Sequence, residues 1–226
     1  MKFILNWSAH KSIVVKHPDS YYAFTTFDRH ILPSFAKLRE KLQKSSADSN
    51  IARCAVTSQN TAILTTFERK SIMLKILFVC HGNICRSPMA EFVLRDMLQK
   101  RGITGVEVAS AATSTEELGN RIHRGTAAIL DRLGIDYSAK RARQITVSDY
   151  AEYDLLIGMD TANIRNMTRY WSDKQHKIHK LLDFTERRGE DISDPWYTGD
   201  FEKTYRDIKL GCEGLVNQLT KISALK

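Results

Sequence analysis

Residues 74–88 read L-K-I-L-F-V-C-H-G-N-I-C-R-S-P, and residues 89–101 continue as M-A-E-F-V-L-R-D-M-L-Q-K-R. Residues 74–79 form an apolar run of strand length, and residues 89–101 carry Phe92, Val93, Met97 and Leu98 at helical spacing, with Pro88 at the entrance. Between the two elements Cys80 and Arg86 enclose five residues, among them Gly82 and Asn83. A turn of this kind, joining a buried strand to a helix, makes a phosphate cradle. Successive loop N–H groups converge on an anion, the helix adds its positive end, and the arginine fork grips two oxygens at once. Gly82 lets the backbone approach closely. The field that holds phosphate also favours a thiolate, which makes Cys80 the candidate nucleophile and leaves the Ser87 hydroxyl to donate to its sulfur. A bare C-x5-R carries little specificity; the preceding strand, the glycine in the loop, the S-P that follows and the helix at the right place supply it. A buried cysteine at a strand end would explain neither the arginine nor the turn.

Outward from this stretch, strands alternate with helices, the signature of a parallel sheet covered on both faces. Strands are expected at residues 106–110, 154–159 and, shorter, 178–184. Helices are expected at 124–133, ended by Gly134, and at 201–222. Ligands of such sheets sit beyond the carboxyl ends of the strands. Thiolate attack on a phosphate ester also needs a proton donor opposite the nucleophile. Asp194, in D-I-S-D-P-W-Y-T-G-D, is the best candidate, because Pro195 stiffens the turn while Trp196 and Tyr197 can flank an aromatic substrate. An ordinary Asp-Pro turn is the plainer reading of that segment alone. Asp191 and Asp200 lack the adjoining Pro-aromatic unit.

The net charge of +8 is unevenly spread. Residues 1–72 carry 11 Lys and Arg against 5 Asp and Glu, whereas residues 73–226 carry 23 against 21, so the charge of the second part calls for no nucleic-acid partner. Four cysteines, at 54, 80, 85 and 212, make neither a secreted disulfide framework nor a zinc cluster. No apolar run has the length of a membrane span and the opening residues make no signal peptide, so a cytoplasmic protein without a membrane partner is expected. The chain divides at about Met73. Residues 1–72 are expected to be a poorly structured extension and not an independent domain, with a weak amphipathic stripe of Phe35, Leu38 and Leu42 and a linker-like S-S-A-D-S-N. Met73 itself reads as the natural start, the preceding residues as upstream sequence translated from a misassigned initiation codon; a genuine basic arm is the rival reading.

The loop V-C-H-G-N-I-C-R-S-P, S-A-A-T-S at 110–114, R-Q-I-T at 143–146 and D-P-W-Y at 194–197 together resemble the low-molecular-weight protein tyrosine phosphatases, over residues 74 to about 223. The resemblance implies a flavodoxin-like three-layer α/β fold, with a four-stranded parallel sheet flanked by helices. It implies hydrolysis of phosphotyrosine in proteins through a phosphocysteine on Cys80, with Arg86 on the phosphate, Asp194 as general acid and then base, and neither metal nor organic cofactor. It places His81, Gly82, Asn83, Ile84, Cys85 and Ser87 in the substrate loop beside Trp196 and Tyr197, and has Asn83 held by the Ser110 hydroxyl. Ser114 carries a structural role only. It further implies that Cys85 can trap oxidised Cys80 as a reversible disulfide. The rim, with T-E-E-L-G-N after Ser114 and Glu116 near where animal enzymes often place an aromatic, resembles bacterial members.

Two relatives within the superfamily use a similar loop for other work. Arginine phosphatases carry threonine where this chain has the aliphatic Ile84, which suits a phenyl ring better. Arsenate reductases need a cysteine relay, for which this chain offers only Cys212 beyond Cys85. A third reading, a phosphotyrosine-binding module without turnover, would not need the nucleophile and the acid that are both present.

Overall fold

The computed structural model describes residues 12–17, 20–25 and 73–223 of the 226-residue chain. In the N-terminal extension, β1 (Ser12–His17) and β2 (Ser20–Thr25) pair antiparallel from Ser12↔Thr25 to His17↔Ser20. At these positions I-V-V and Y-Y-A-F supply the β-branched and aromatic residues that favour strands. The stripe at residues 33–44 and the linker at 45–50 lie outside the described residues.

The second part is built on four strands: β3 (Leu74–Cys80), β4 (Val106–Ala112), β5 (Leu155–Gly158) and β6 (Ile178–Lys180). All neighbouring pairs are parallel, and the spatial order is β4-β3-β5-β6. The helices are α1 (Arg86–Lys100), α2 (Arg124–Arg132), α3 (Asp149–Glu152), α4 (Thr161–Tyr170), α5 (Pro195–Thr198) and α6 (Phe201–Ser223). The chain leaves β3 for β4 on one side and returns to β5 on the other, so β3 lies at the topological switch point, where the carboxyl end of a strand opens a crevice.

The apolar run of β3 is explained by burial on both faces. Ile76 and Phe78 join Met89, Leu94, Ile208, Leu215 and Val216 in one core, while Leu77 and Val79 join Leu156, Met167 and Trp171 in another. Two glycines bring α6 close to the turn that follows β6: a Cβ on Gly211 would stand 2.5 Å from Leu181 Cγ, and one on Gly214 would stand 2.2 Å from the Phe184 carbonyl oxygen. Among the described residues no helix is long and apolar enough to cross a membrane.

Three differences from the sequence reading bear on the site. Helix α1 begins at Arg86 and not at Met89. Pro88 is tolerated there because first-turn N–H groups have no partner inside the helix. The fourth strand stops at Lys180, and Leu181–Phe184 form a 3₁₀ turn. The Asp183 carboxylate accepts the Lys180 N–H at 2.8 Å and draws the chain out of the ladder. Helix α4 was not anticipated at all, and it supplies a partner for Arg86.

Candidate active site

Cys80 ends β3 and Arg86 opens α1, so the intervening loop wraps over the amino end of a helix, as the spacing required. Its shape depends on Asn83, fully buried at φ 57°, a left-handed conformation that asparagine tolerates better than most residues. The Asn83 amide is bonded on every side. Nδ2 donates to Ser87 Oγ at 2.8 Å and to Ser110 Oγ at 2.7 Å, and Oδ1 accepts from the Arg143 backbone N–H at 3.2 Å. The two outlying motifs are thereby explained. Residues 110–114 and 143–146 are the backing of the loop: Thr113 N–H donates to the Cys80 carbonyl at 2.9 Å and Ser114 N–H to the His81 carbonyl at 3.0 Å. The bridge between Ala112 and Gln144 fastens the second segment to β4.

Deeper still, the Ser110 hydroxyl donates to Glu91 Oε2 at 2.5 Å, and Lys140 Nζ donates to the same oxygen at 2.8 Å. Burial pulls the Lys140 ammonium below its ordinary pKa, partly offset by Glu91. The ion pair is buried and hydrogen-bonded, the condition under which such charges are tolerated.

Around the nucleophile, the Asn83 backbone N–H points at Cys80 Sγ from 3.3 Å, and Ser87 Oγ lies 3.0 Å from the same sulfur. Arg86 is 2% exposed. One arm of its guanidinium donates to Asp160 Oδ2 at 2.5 Å and to the Ile192 carbonyl at 3.1 Å, and the other pairs with Asp194. Burial works against the charged form of Arg86, but Cys80, Asp194 and Asp160 more than offset it and raise its pKa above the ordinary value. Burial pushes the Cys85 thiol up as well, with the neighbouring Cys80 adding to it.

A pocket of about 110 Å³ opens over this arrangement. It is lined by Cys80, His81, Gly82, Ile84, Cys85 and Arg86 from the loop, by Asp194, Trp196 and Tyr197 from the later segment, and by Glu116 and Glu117. Three of the expected residues do not line it: Asn83, Ser87 and Ser110 are buried behind the loop and hold it in shape. Gly82 is pressed by the rim, since a Cβ there would lie 3.1 Å from Glu117 Cγ. His81 Nε2 is 3.0 Å from Glu116 Oε2, an exposed contact. Asp194 caps the short helix α5, accepting the Trp196 N–H at 3.1 Å, which puts Pro195 at the first helical position.

Asp160 escaped the sequence reading. It caps α4 by accepting the Asn163 N–H on Oδ1 at 2.6 Å and turns Oδ2 to Arg86, so one carboxylate starts a helix and aims the guanidinium. The D-T-A-N that follows the apolar run at 155–159 was the available signal, an N-cap directly after a strand.

The family model described as low molecular weight phosphotyrosine protein phosphatase matches residues 75–224. The low molecular weight protein-tyrosine-phosphatase YfkJ of Bacillus subtilis is 41% identical over 152 residues, which cover 66% of this chain and 97% of the relative. PtpA of Staphylococcus epidermidis, a protein of the same description, is 36% identical over 154 residues, 68% of this chain and 99% of that one. The crystal structure of YfkJ superposes with a TM-score of 0.64, covering 66% of this chain and 96% of that one at 40% identity. A Drosophila arginine phosphatase superposes at 0.61 with 28% identity, covering 65% of this chain and 98% of that one. On the match of its family model and of these relatives, the chain belongs to the low molecular weight phosphotyrosine protein phosphatase family.

Proposed function

We propose that the protein hydrolyses phosphotyrosine in proteins through a phosphocysteine on Cys80. The observation that carries this reading is the convergence of three side chains on one pocket, the Cys80 sulfur, the Arg86 guanidinium and the Asp194 carboxyl, with the Asn83 N–H directed at that sulfur. In the first step the Cys80 thiolate attacks phosphorus, the bond from phosphorus to the phenolic oxygen breaks, and Asp194 gives its proton to that oxygen. Loop amides and Arg86 hold the equatorial oxygens, where charge is spread in the transition state. In the second step Asp194 takes a proton from water, the water oxygen attacks phosphorus, and the S–P bond breaks to return the thiolate and release phosphate. Ser87, at 3.0 Å, donates to the sulfur as it leaves.

The pairing of Arg86 with Asp194 fits this cycle. Both sites on the guanidinium fork are taken by carboxylates, as two phosphate oxygens would take them. An arriving phosphate takes the place of Asp194 on that fork and frees its carboxyl for the proton transfer of the first step.

Ile84, 8% exposed and lining the pocket, supports a phenyl substrate over a guanidinium one, and the exposed Trp196 and Tyr197 supply an aromatic wall. The family match at residues 75–224 supports residues 73–226 as the phosphatase unit, with residues 1–72 an extension outside it. We place the protein in the cytoplasm, its partners being phosphotyrosine proteins and neither nucleic acid nor membrane.

The test is hydrolysis of para-nitrophenyl phosphate, a phosphotyrosine peptide and a phosphoarginine peptide by the full chain, with Cys80→Ser and Asp194→Ala beside it. Phosphotyrosine preferred, with Cys80→Ser inactive and Asp194→Ala slowed, is the expected result. Preference for phosphoarginine would overturn the substrate, and phosphate binding without turnover would leave a binding module.

A further inference from the structure

The pair that holds Asp194 is made with the very guanidinium that substrate phosphate takes. Once phosphate is bound, something else must keep the acid within reach of the leaving oxygen. Two residues beyond Asp194, the Trp196 indole meets the edge of the His123 ring, centroids 5.7 Å apart at 71°. On its other side His123 lies flat on Phe201, centroids 4.9 Å apart and planes 1° from parallel. Phe201 in turn packs on Ile84 and Cys85 of the phosphate loop. The His123 backbone N–H also donates to the Ile84 carbonyl at 2.8 Å. The three rings therefore form a continuous bridge from the phosphate loop to the segment that bears the acid.

The surrounding sequence is shaped to keep this bridge in place. His123 Nδ1 accepts the Gly125 N–H at 3.1 Å and caps α2, which fixes the ring's orientation and leaves Nε2 as the protonated nitrogen of the neutral imidazole. Gly125 has no room for a side chain, because a Cβ would lie 2.5 Å from the Phe201 ring. Phe201 begins α6 directly after the turn that ends the acid-bearing helix.

We propose that His123 is a positioning residue for the general acid. Its ring, backed by Phe201, braces Trp196 so that Asp194 keeps its reach to the leaving oxygen after Arg86 has turned to phosphate. His123 touches no reacting atom in this account, and the proposal rests on the phosphatase reading above.

Loss of one aromatic contact weakens a brace without abolishing it, so the effect falls on the step that needs the acid. That step is read from kcat/KM across aryl phosphates whose leaving groups differ in basicity. Para-nitrophenolate leaves almost unaided, whereas the more basic phenolate needs the proton. His123→Asn keeps an oxygen to accept the Gly125 N–H and removes the ring. His123→Phe keeps a ring and removes the acceptor. In the full chain, His123→Asn is expected to lower kcat/KM on phenyl phosphate by about 2- to 10-fold, the worth of one aromatic pair, with para-nitrophenyl phosphate nearly unchanged. His123→Phe is expected to keep the wild-type ratio between the two substrates while melting earlier for want of its cap. If His123→Asn falls equally on both substrates, or keeps the wild-type ratio, or if His123→Phe changes the ratio as much as His123→Asn does, the bracing role is refuted. A wild-type chain that hydrolyses neither ester refutes the phosphatase reading, and the bracing role with it.

Discussion

Replacing Asn83 by alanine removes the residue on which the loop's shape depends, and the cost follows from its surroundings. The backbone at φ 57° suits asparagine but strains alanine by about 1 kcal/mol. Three hydrogen bonds vanish with the side chain, buried ones to Ser87 and Ser110 and a partly buried one from Arg143, each worth about 1 kcal/mol net. Together they give a loss of about 3 to 4 kcal/mol, a large part of the roughly 5 to 15 kcal/mol that holds a domain folded. Urea unfolding of Asn83→Ala, followed by the fluorescence of buried Trp171, reads that loss. Asn83→Gly loses the same bonds without the strain and is expected to unfold later than the alanine variant by up to about 1 kcal/mol. Because the Asn83 N–H also points at the Cys80 sulfur, misalignment of the loop is expected to lower kcat/KM for aryl phosphates by about 100-fold, the order found for losing one oxyanion donor. An alanine variant within 1 kcal/mol of wild type, or less strained than the glycine variant, would refute this account of the loop.

Three other perturbations test separate parts of the structure. Gly214→Ala drives a methyl group into the Phe184 carbonyl at 2.2 Å and is expected to cost about 1 to 3 kcal/mol in urea unfolding; an unchanged midpoint would mean that α6 does not sit as described. Burial pulls His179 below its ordinary pKa of about 6.5, so on acidification the unfolded chain takes the proton first; the stability tied to this group is whole above about pH 6.5 and drains away as pH falls toward the folded value. Stability measured from pH 7.5 to 5 is expected to fall less steeply in His179→Gln than in wild type, and equal slopes would remove His179 as a cause. Peroxide-treated Cys85→Ser is expected to recover less activity with dithiothreitol than wild type does, since no neighbouring thiol traps oxidised Cys80 before the irreversible steps; equal recovery would end the protective role of Cys85.

Some of this structure could be read directly from residues 74–101, because strand, cradle and helix are contiguous and each element states its own pattern. Cys80, Arg86 and the position of Ser87 needed nothing from the rest of the chain. Helix α4 was missed although its residues are amphipathic, because T-A-N-I-R-N-M-T-R-Y offers only Ile164 and Met167 as an apolar stripe, enough against an existing sheet but sparse among polar neighbours. The strand expected at 178–184 was too long because Ile178, Leu181, Leu182 and Phe184 can be buried from a strand or from a turn, and the Asp183 carboxylate, accepting the Lys180 N–H, turns the second half. Asp160 and Glu91 were unreadable for another reason. Their partners, Arg86 and Ser110, lie 74 and 19 residues away, and a carboxylate's role in such a pair exists only once the fold has brought them together. Asp194 stood between these cases: its turn was visible, but its place across from Cys80 came from the demand of the chemistry and from the family resemblance.

The most direct test of the central claim is to quench the full-length Asp194→Ala chain in acid during turnover of para-nitrophenyl phosphate and map the phosphoryl adduct by mass. With the base of the second step removed, phosphocysteine is expected to accumulate on Cys80 and to be absent from a chain that also carries Cys80→Ser. An adduct on another residue, or sustained turnover by Cys80→Ser, would contradict it.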